Sequence, residues 1–197
     1  MTAITAPRNL VDTLPVASAR VRSIVAVVGF ALLTAAAAQV SFALPWTPVP
    51  LTGQTFAVLV AGAALGARRA IASQGLYVVL GAVGLPFYAD ASGGWKVATG
   101  ATAGYLVGFI IAAGVVGRLA DKGDDRRPLS AWSAMLAGTA IIYACGATWL
   151  AHHLGVSAVK AVELGVAPFL IGDALKAVAA GVALPTAWRL VRSPKND

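Results

Sequence analysis

Charge is what this sequence has least of. Asp, Glu, Lys and Arg make up 12% of its 197 residues, about half the share in an average soluble domain. A chain that is 58% hydrophobic, with a mean hydropathy of +0.79, cannot coat a water-facing surface and reads as a polytopic membrane protein. Cysteine is nearly absent as well: the single Cys145 lies in an apolar run and excludes a disulfide framework and a cysteine zinc site. No Gly-x-x-x-x-Gly-Lys-Ser/Thr loop occurs, so if ATP drives any activity the ATPase is another protein. No internal repeat is evident, which removes the inverted-repeat plan of many transporters. His152 and His153 are adjacent, point about 100° apart on a helix, and have no Cys or Glu at ligand spacing. They read as solvated interface histidines, and no metal site is expected.

Uninterrupted apolar sequence is abundant. Residues 24–44 carry no charge and, at a rise of about 1.5 Å per residue, span a hydrocarbon core of roughly 30 Å. The proline-rich stretch 45–50 ends this first helix in a stiff external loop, with Trp46 at the interface. Residues 55–67 and 70–85 flank Arg68 and Arg69 and read as two short or tilted helices joined on the cytoplasmic side. A single span through both would bury two arginines near the bilayer centre. Residues 97–116, 131–150 and 164–188 supply helices four to six. The fold expected is an all-α integral membrane protein of six transmembrane helices in one domain, 24–191, between cytoplasmic tails at 1–23 and 192–197. The N-terminal stretch, with Pro7, Arg8 and Pro15 and no long apolar core, reads as a tail and not as a signal peptide.

The net charge of +7 is a matter of topology, not of nucleic acid binding. Twelve of the fifteen Lys and Arg residues fall in the two tails, at Arg189 where the last helix ends, at Arg68-Arg69 and in the 118–127 loop, while Lys96 and Lys160 lie on the other side. That asymmetry places both termini in the cytoplasm. The remaining lysine, Lys176, lies inside the sixth run with Asp173, three residues earlier and therefore on the same helix face. Charges within a membrane-length segment are costly and mark functional sites. Asp173 is expected about nine residues in from the external end of its helix, roughly 13 Å deep, and reached from outside. A carboxylate beside an ammonium suits a cyclic urea, with its N–H donors and carbonyl acceptor, and a zwitterionic amino acid nearly as well. A self-neutralising packing pair is the bland alternative.

Other polar and small residues gather around that pair. Thr52, Gln54 and Thr55 offer hydroxyl and amide groups at the external mouth, to line a pocket or form a lid; the alternative is that Thr52 or Thr55 caps a helix. Ser92, Gly93 and Gly94 form a loop that lets backbone approach a ligand or is merely flexible. Tyr105 either presents a hydroxyl to the cavity or packs in the core. Gly62 and Gly66, and Gly100, Gly104 and Gly108, recur every four residues, as close helix packing in lipid requires. Ala31 and Ala35 make a smooth patch on the first helix, for a partner helix or for packing within the molecule.

Five ordered motifs carry a resemblance across residues 24–190. They are Pro48-Val49-Pro50-Leu51-Thr52-Gly53-Gln54-Thr55, Ala61-Gly62-Ala63-Ala64-Leu65-Gly66, Gly81-Ala82-Val83-Gly84-Leu85-Pro86, Gly100-Ala101-Thr102-Ala103-Gly104-Tyr105, and Pro168-Phe169-Leu170-Ile171-Gly172-Asp173-Ala174-Leu175-Lys176. Together they resemble BioY, the biotin-specific S component of energy-coupling factor (ECF) transporters. The resemblance implies an S-component-like six-helix bundle in the bacterial cytoplasmic membrane that captures biotin as its transported ligand, with no catalytic residue and no cofactor. It implies a transmembrane coupling protein and cytoplasmic ATPases as partners, docked through small residues of the first helix such as Ala31 and Ala35; a homo-oligomer is left open. By the same motifs Asp173 and Lys176 contact biotin, Ser92, Gly93, Gly94 and Tyr105 lie near the pocket, and Thr52 and Gln54 belong to a loop over it. Ala101 and Ile171 stand where the family often has proline. On the residues alone, an S component for another vitamin, an intramembrane enzyme using Asp173 as a base, and a non-transporting assembly protein are the rival readings.

Overall fold

The computed structural model describes residues 9–14 and 18–192; the outer parts of both expected tails, 1–8 and 193–197, lie outside the described residues. The fold is all-helical. The helices are α1 (Ala19–Ala38), α2 (Gln54–Leu65), α3 (Ala67–Ala82), α4 (Trp95–Ala98), α5 (Ala103–Asp121), α6 (Pro128–Leu154), α7 (Ala158–Gly165) and α8 (Leu170–Arg192). Two short antiparallel strands, β1 (Ser41–Phe42) and β2 (Leu51–Thr52), pair Ser41 with Thr52 and Phe42 with Leu51.

Helix α5 is central, packed on α6, α2 and α3, while α1 packs mainly on α3 and α8 on α6. The α5–α6 contact depends on missing side chains. A Cβ on Gly104 would overlap Trp149 and the Cys145 carbonyl, and one on Gly108 would lie 3.0 Å from the Ile142 Cα. The four-residue glycine spacing therefore serves packing within the molecule.

Four stretches are long and apolar enough to cross a membrane: Ala19–Ala38, Ala103–Asp121, Pro128–Leu154 and Ala158–Leu190. Helices α2 and α3, 12 and 16 residues long, form an antiparallel hairpin, since Gln54 at the start of α2 meets Tyr77 near the end of α3. The hairpin turns at Gly66, whose φ of +76 suits glycine and whose Cβ would overlap Asn9 and Asp121. Asp121 holds this turn: its carboxylate accepts from the Ala67 amide at 3.2 Å and from the Asn9 amide group at 3.0 Å.

Several boundaries differ from the sequence reading. The first helix stops at Ala38, not residue 44, because residues 41–42 leave to pair with β2; an apolar run does not by itself distinguish helix from strand. It also starts at Ala19 and takes up residues assigned to a tail. Residues 9–13, within the expected tail, pack on the helices: Asn9 and Val11 are buried, and Asp12 pairs with Arg69 at 2.9 Å and Arg22 at 3.7 Å. The sixth run is broken. Helix α7, capped by Ser157 accepting from the Lys160 amide at 3.2 Å, ends at Gly165, and a 3-10 turn at Ala167–Phe169 containing Pro168 leads into α8. Asp173 therefore lies in the first turn of its helix, not nine residues in.

Candidate functional site

A cavity of roughly 280 Å³ opens between the 48–55 segment, the loop at 88–92 and helices α5, α6 and α8. Asp173 and Lys176 lie at its wall. Asp173 is 5% exposed, close to the N-terminus of α8, where the helix dipole favours a carboxylate. The Lys176 ammonium donates to Asp173 Oδ1 at 2.8 Å, to the Thr52 carbonyl at 2.8 Å and to Thr55 Oγ1 at 3.1 Å. An ammonium has three protons, so all are engaged. Thr55 in turn donates to Asp173 Oδ1 at 2.9 Å, and the Tyr143 hydroxyl donates to Oδ2 at 2.6 Å. A carboxylate offers about four acceptor positions; three are filled, which by count leaves one on Oδ2 for a ligand N–H.

Much of the rest of the wall is aromatic and apolar, including Phe109, Phe169, Val97 and Leu106, with Gln54, Asp90, Ser92 and Thr102 as further polar lining. Such a lining hides a ring system while the polar cluster orients it. The segment over the cavity is stiffened by Pro48 and Pro50 and tied down at two points. Thr47 donates to the Leu164 carbonyl at 2.7 Å, and the Thr52 carbonyl is held by Lys176.

The structure gathers Thr52, Gln54, Ser92, Tyr105, Asp173 and Lys176 around this one cavity. Their polar ends are partly committed. Gln54 is buried and donates to the Tyr77 hydroxyl while accepting from Thr52 at 2.8 Å. Tyr105 presents its ring, its hydroxyl being bound to the Gly165 carbonyl at 2.7 Å. Ser92 donates to the Ala89 carbonyl at 2.6 Å. Gly93 and Gly94 are outside the cavity lining: Gly93 abuts the Leu85 carbonyl, and the Gly94 amide donates to the Gly81 carbonyl at 2.7 Å. Ala31 and Ala35 face into the molecule at 1% and 7% exposure; the open face of α1 is formed by Val21, Ile24, Val25, Val28 and Leu32. The docking expectation thus meets a face already used by packing. Ala101 lines the cavity, whereas Ile171 is 80% exposed.

One member of the cluster, Thr55, belongs to the 52–55 stretch that the sequence reads equally as pocket lining or helix cap; another, Tyr143, carries no signal in the sequence. Tyr143 lies in an apolar run where one more aromatic reads as core, and no spacing links it to Asp173. No group of three metal-ligating side chains occurs among the described residues, and His152 and His153 are exposed, packed about Trp149.

Comparison with known proteins gives one consistent result. The chain matches the BioY family over residues 9–193. It is 39% identical over 151 residues to a probable biotin transporter BioY of Pyrococcus horikoshii, covering 77% of this chain and 86% of that one. It is also 39% identical over 141 residues to the biotin transporter BioY of Thermotoga maritima, covering 71% and 80%. Among solved structures, the S-component for biotin from an ECF-type ABC transporter shares its fold with a TM-score of 0.80 at 19% identity, covering 89% of this chain and 95% of that one.

Proposed function

The chain belongs to the BioY family, and on that premise we propose that it captures biotin in the cavity beneath the 48–55 segment and delivers it inward across a cytoplasmic membrane. The observation that carries the reading is the Asp173 cluster: one buried carboxylate, held by Lys176, Thr55 and Tyr143, at the wall of an aromatic-lined cavity. Asp173 accepts a ureido N–H of biotin. Lys176 supplies a proton to a ligand oxygen by exchanging it for the Thr52 carbonyl, and the aromatic walls hold the fused rings. Ser92 and Tyr105 border the site, and Thr52 and Gln54 belong to the segment that covers it.

The chain is a transporter subunit and not an enzyme. Six spans are the reading that four long apolar stretches support when the α2–α3 hairpin contributes two shorter crossings, and the Lys and Arg distribution supports cytoplasmic termini. Without a phosphate loop of its own, the chain draws on a transmembrane coupling protein and cytoplasmic ATPases to energise uptake. Labelled biotin uptake by biotin-auxotrophic cells, expressing the chain with and without those subunits, tests this. Uptake only with them supports the assignment; uptake without them points to the chain acting alone or as a homo-oligomer. No uptake in either case, with the chain in the membrane, refutes the reading.

A further inference from the structure

Gln39, the residue that ends α1, has no part in the motifs or in the Asp173 cluster, yet its side chain makes an unusual set of bonds. Its Oε1 accepts from the Ala91 amide at 2.9 Å. Its Nε2 donates to the Ala35 carbonyl at 2.9 Å, to that of Tyr88 at 3.2 Å and, more weakly, to that of Pro86 at 3.4 Å. One primary amide therefore grips the 86–91 segment from both sides and ties it to the last turn of its own helix.

That segment needs gripping. Asp90 and Ala91 have φ of 57° and 53°, and among the described residues they are the only non-glycine positions with positive φ. Side chains with a Cβ are sterically disfavoured there, and two in succession persist only where surroundings impose them. Tyr88, Ala89, Asp90 and Ser92 all line the cavity, while Ala91 and Gln39 do not. The strained turn thus sets the position of one cavity wall, and Gln39 bonds the turn without touching the cavity.

We propose that Gln39 is a positioning residue for ligand capture: it holds the strained Asp90–Ala91 turn so that the 88–92 wall is formed before the ligand arrives. The inference rests on the biotin reading for its ligand but not for its geometry. The same turn of α1 also anchors the opposite wall, since the Gly53 amide donates to the Ala37 and Val40 carbonyls, each at 3.1 Å. Both mouth segments hang from the end of one helix.

The test uses the full chain in nanodiscs, with biotin as the probe. Gln39→Leu keeps size and removes every bond; losing a preformed wall is expected to weaken biotin about tenfold or more with little change in thermal midpoint. Ala91→Gly removes the steric penalty at the strained position, so adding it to Gln39→Leu should recover a measurable part of the loss. Amide exchange over 86–92, measured without ligand, should be faster in Gln39→Leu than in the wild type. Unchanged exchange in Gln39→Leu, or a loss of affinity that Ala91→Gly leaves wholly in place, would overturn the proposal. If the wild type fails to bind biotin, the functional reading falls, and the exchange measurement still decides the role of Gln39.

Discussion

Tyr143 and Asp173, thirty residues apart in sequence, are joined by a 2.6 Å hydrogen bond in which the phenol donates to the carboxylate. This bond crosses from α6 to α8 at the wall of the cavity and, with Thr55 and Lys176, fixes the orientation of the buried Asp173 carboxylate. Bonds to a charged acceptor contribute about 1.5–3 kcal/mol. Tyr143→Phe should accordingly weaken biotin about 10- to 150-fold with the fold intact, as read by titration of the purified variant against the wild type.

Lys176 joins the 48–55 segment to the Asp173 carboxylate, and its removal should act on both. Lys176→Met leaves Asp173 without its cation and the Thr52 carbonyl without its donor. Faster biotin dissociation together with faster amide exchange over 47–53 is the expected pair of outcomes. Faster dissociation with an unchanged exchange pattern would separate the lysine from the segment above it.

The Asp173–Lys176 pair was legible in the sequence because charge inside a long apolar run has few explanations. Tyr143 was not, because a phenol in such a run looks like any other core residue until the helices are placed. The breaks at Gln39 and at Gly165–Pro168 illustrate a second limit. Apolar composition reports that a stretch avoids water, which a membrane helix, a short strand and a buried turn all do. Pro168 and Gly165 were visible, but the hydrophobic run continues through them, and only the observed 3-10 turn brings Asp173 to the first turn of α8. Gln39 escaped for the opposite reason: its role is a set of bonds to backbone carbonyls and an amide, and backbone groups leave no mark in the sequence.

Packing of α5 on α6 leaves no room for a side chain at Gly108, where a Cβ would lie 3.0 Å from the Ile142 Cα. Backbone cannot step aside as a flexible side chain can. Gly108→Leu should lower stability by about 2 kcal/mol or more, seen as a lower thermal midpoint in detergent. Gly29→Ala, where nothing lies within 4 Å, serves as the neutral control.

Asp125, in the loop between α5 and α6, is 2% exposed, and burial raises its pKa above the ordinary carboxylate value despite the Trp188 indole N–H that it accepts and the nearby Arg126. A carboxyl with a raised folded-state pKa favours folding in its protonated form. Its contribution is full below the ordinary carboxylate range and is lost as pH rises through the folded value. Asp125→Asn, which keeps an acceptor for Trp188 and carries no charge, should gain thermal stability relative to the wild type as pH is raised from 4 to 8. An unchanged difference across that range would refute the assignment.

Asp173 is the group proposed to recognise the ligand. Calorimetric titration of the full chain with biotin, comparing the wild type with Asp173→Asn, tests this most directly. Removing one member of a buried, hydrogen-bonded charge pair costs about 2–5 kcal/mol, so saturable tight binding in the wild type and a loss of at least about thirtyfold in the variant are expected. Biotin bound equally well by Asp173→Asn would contradict the account.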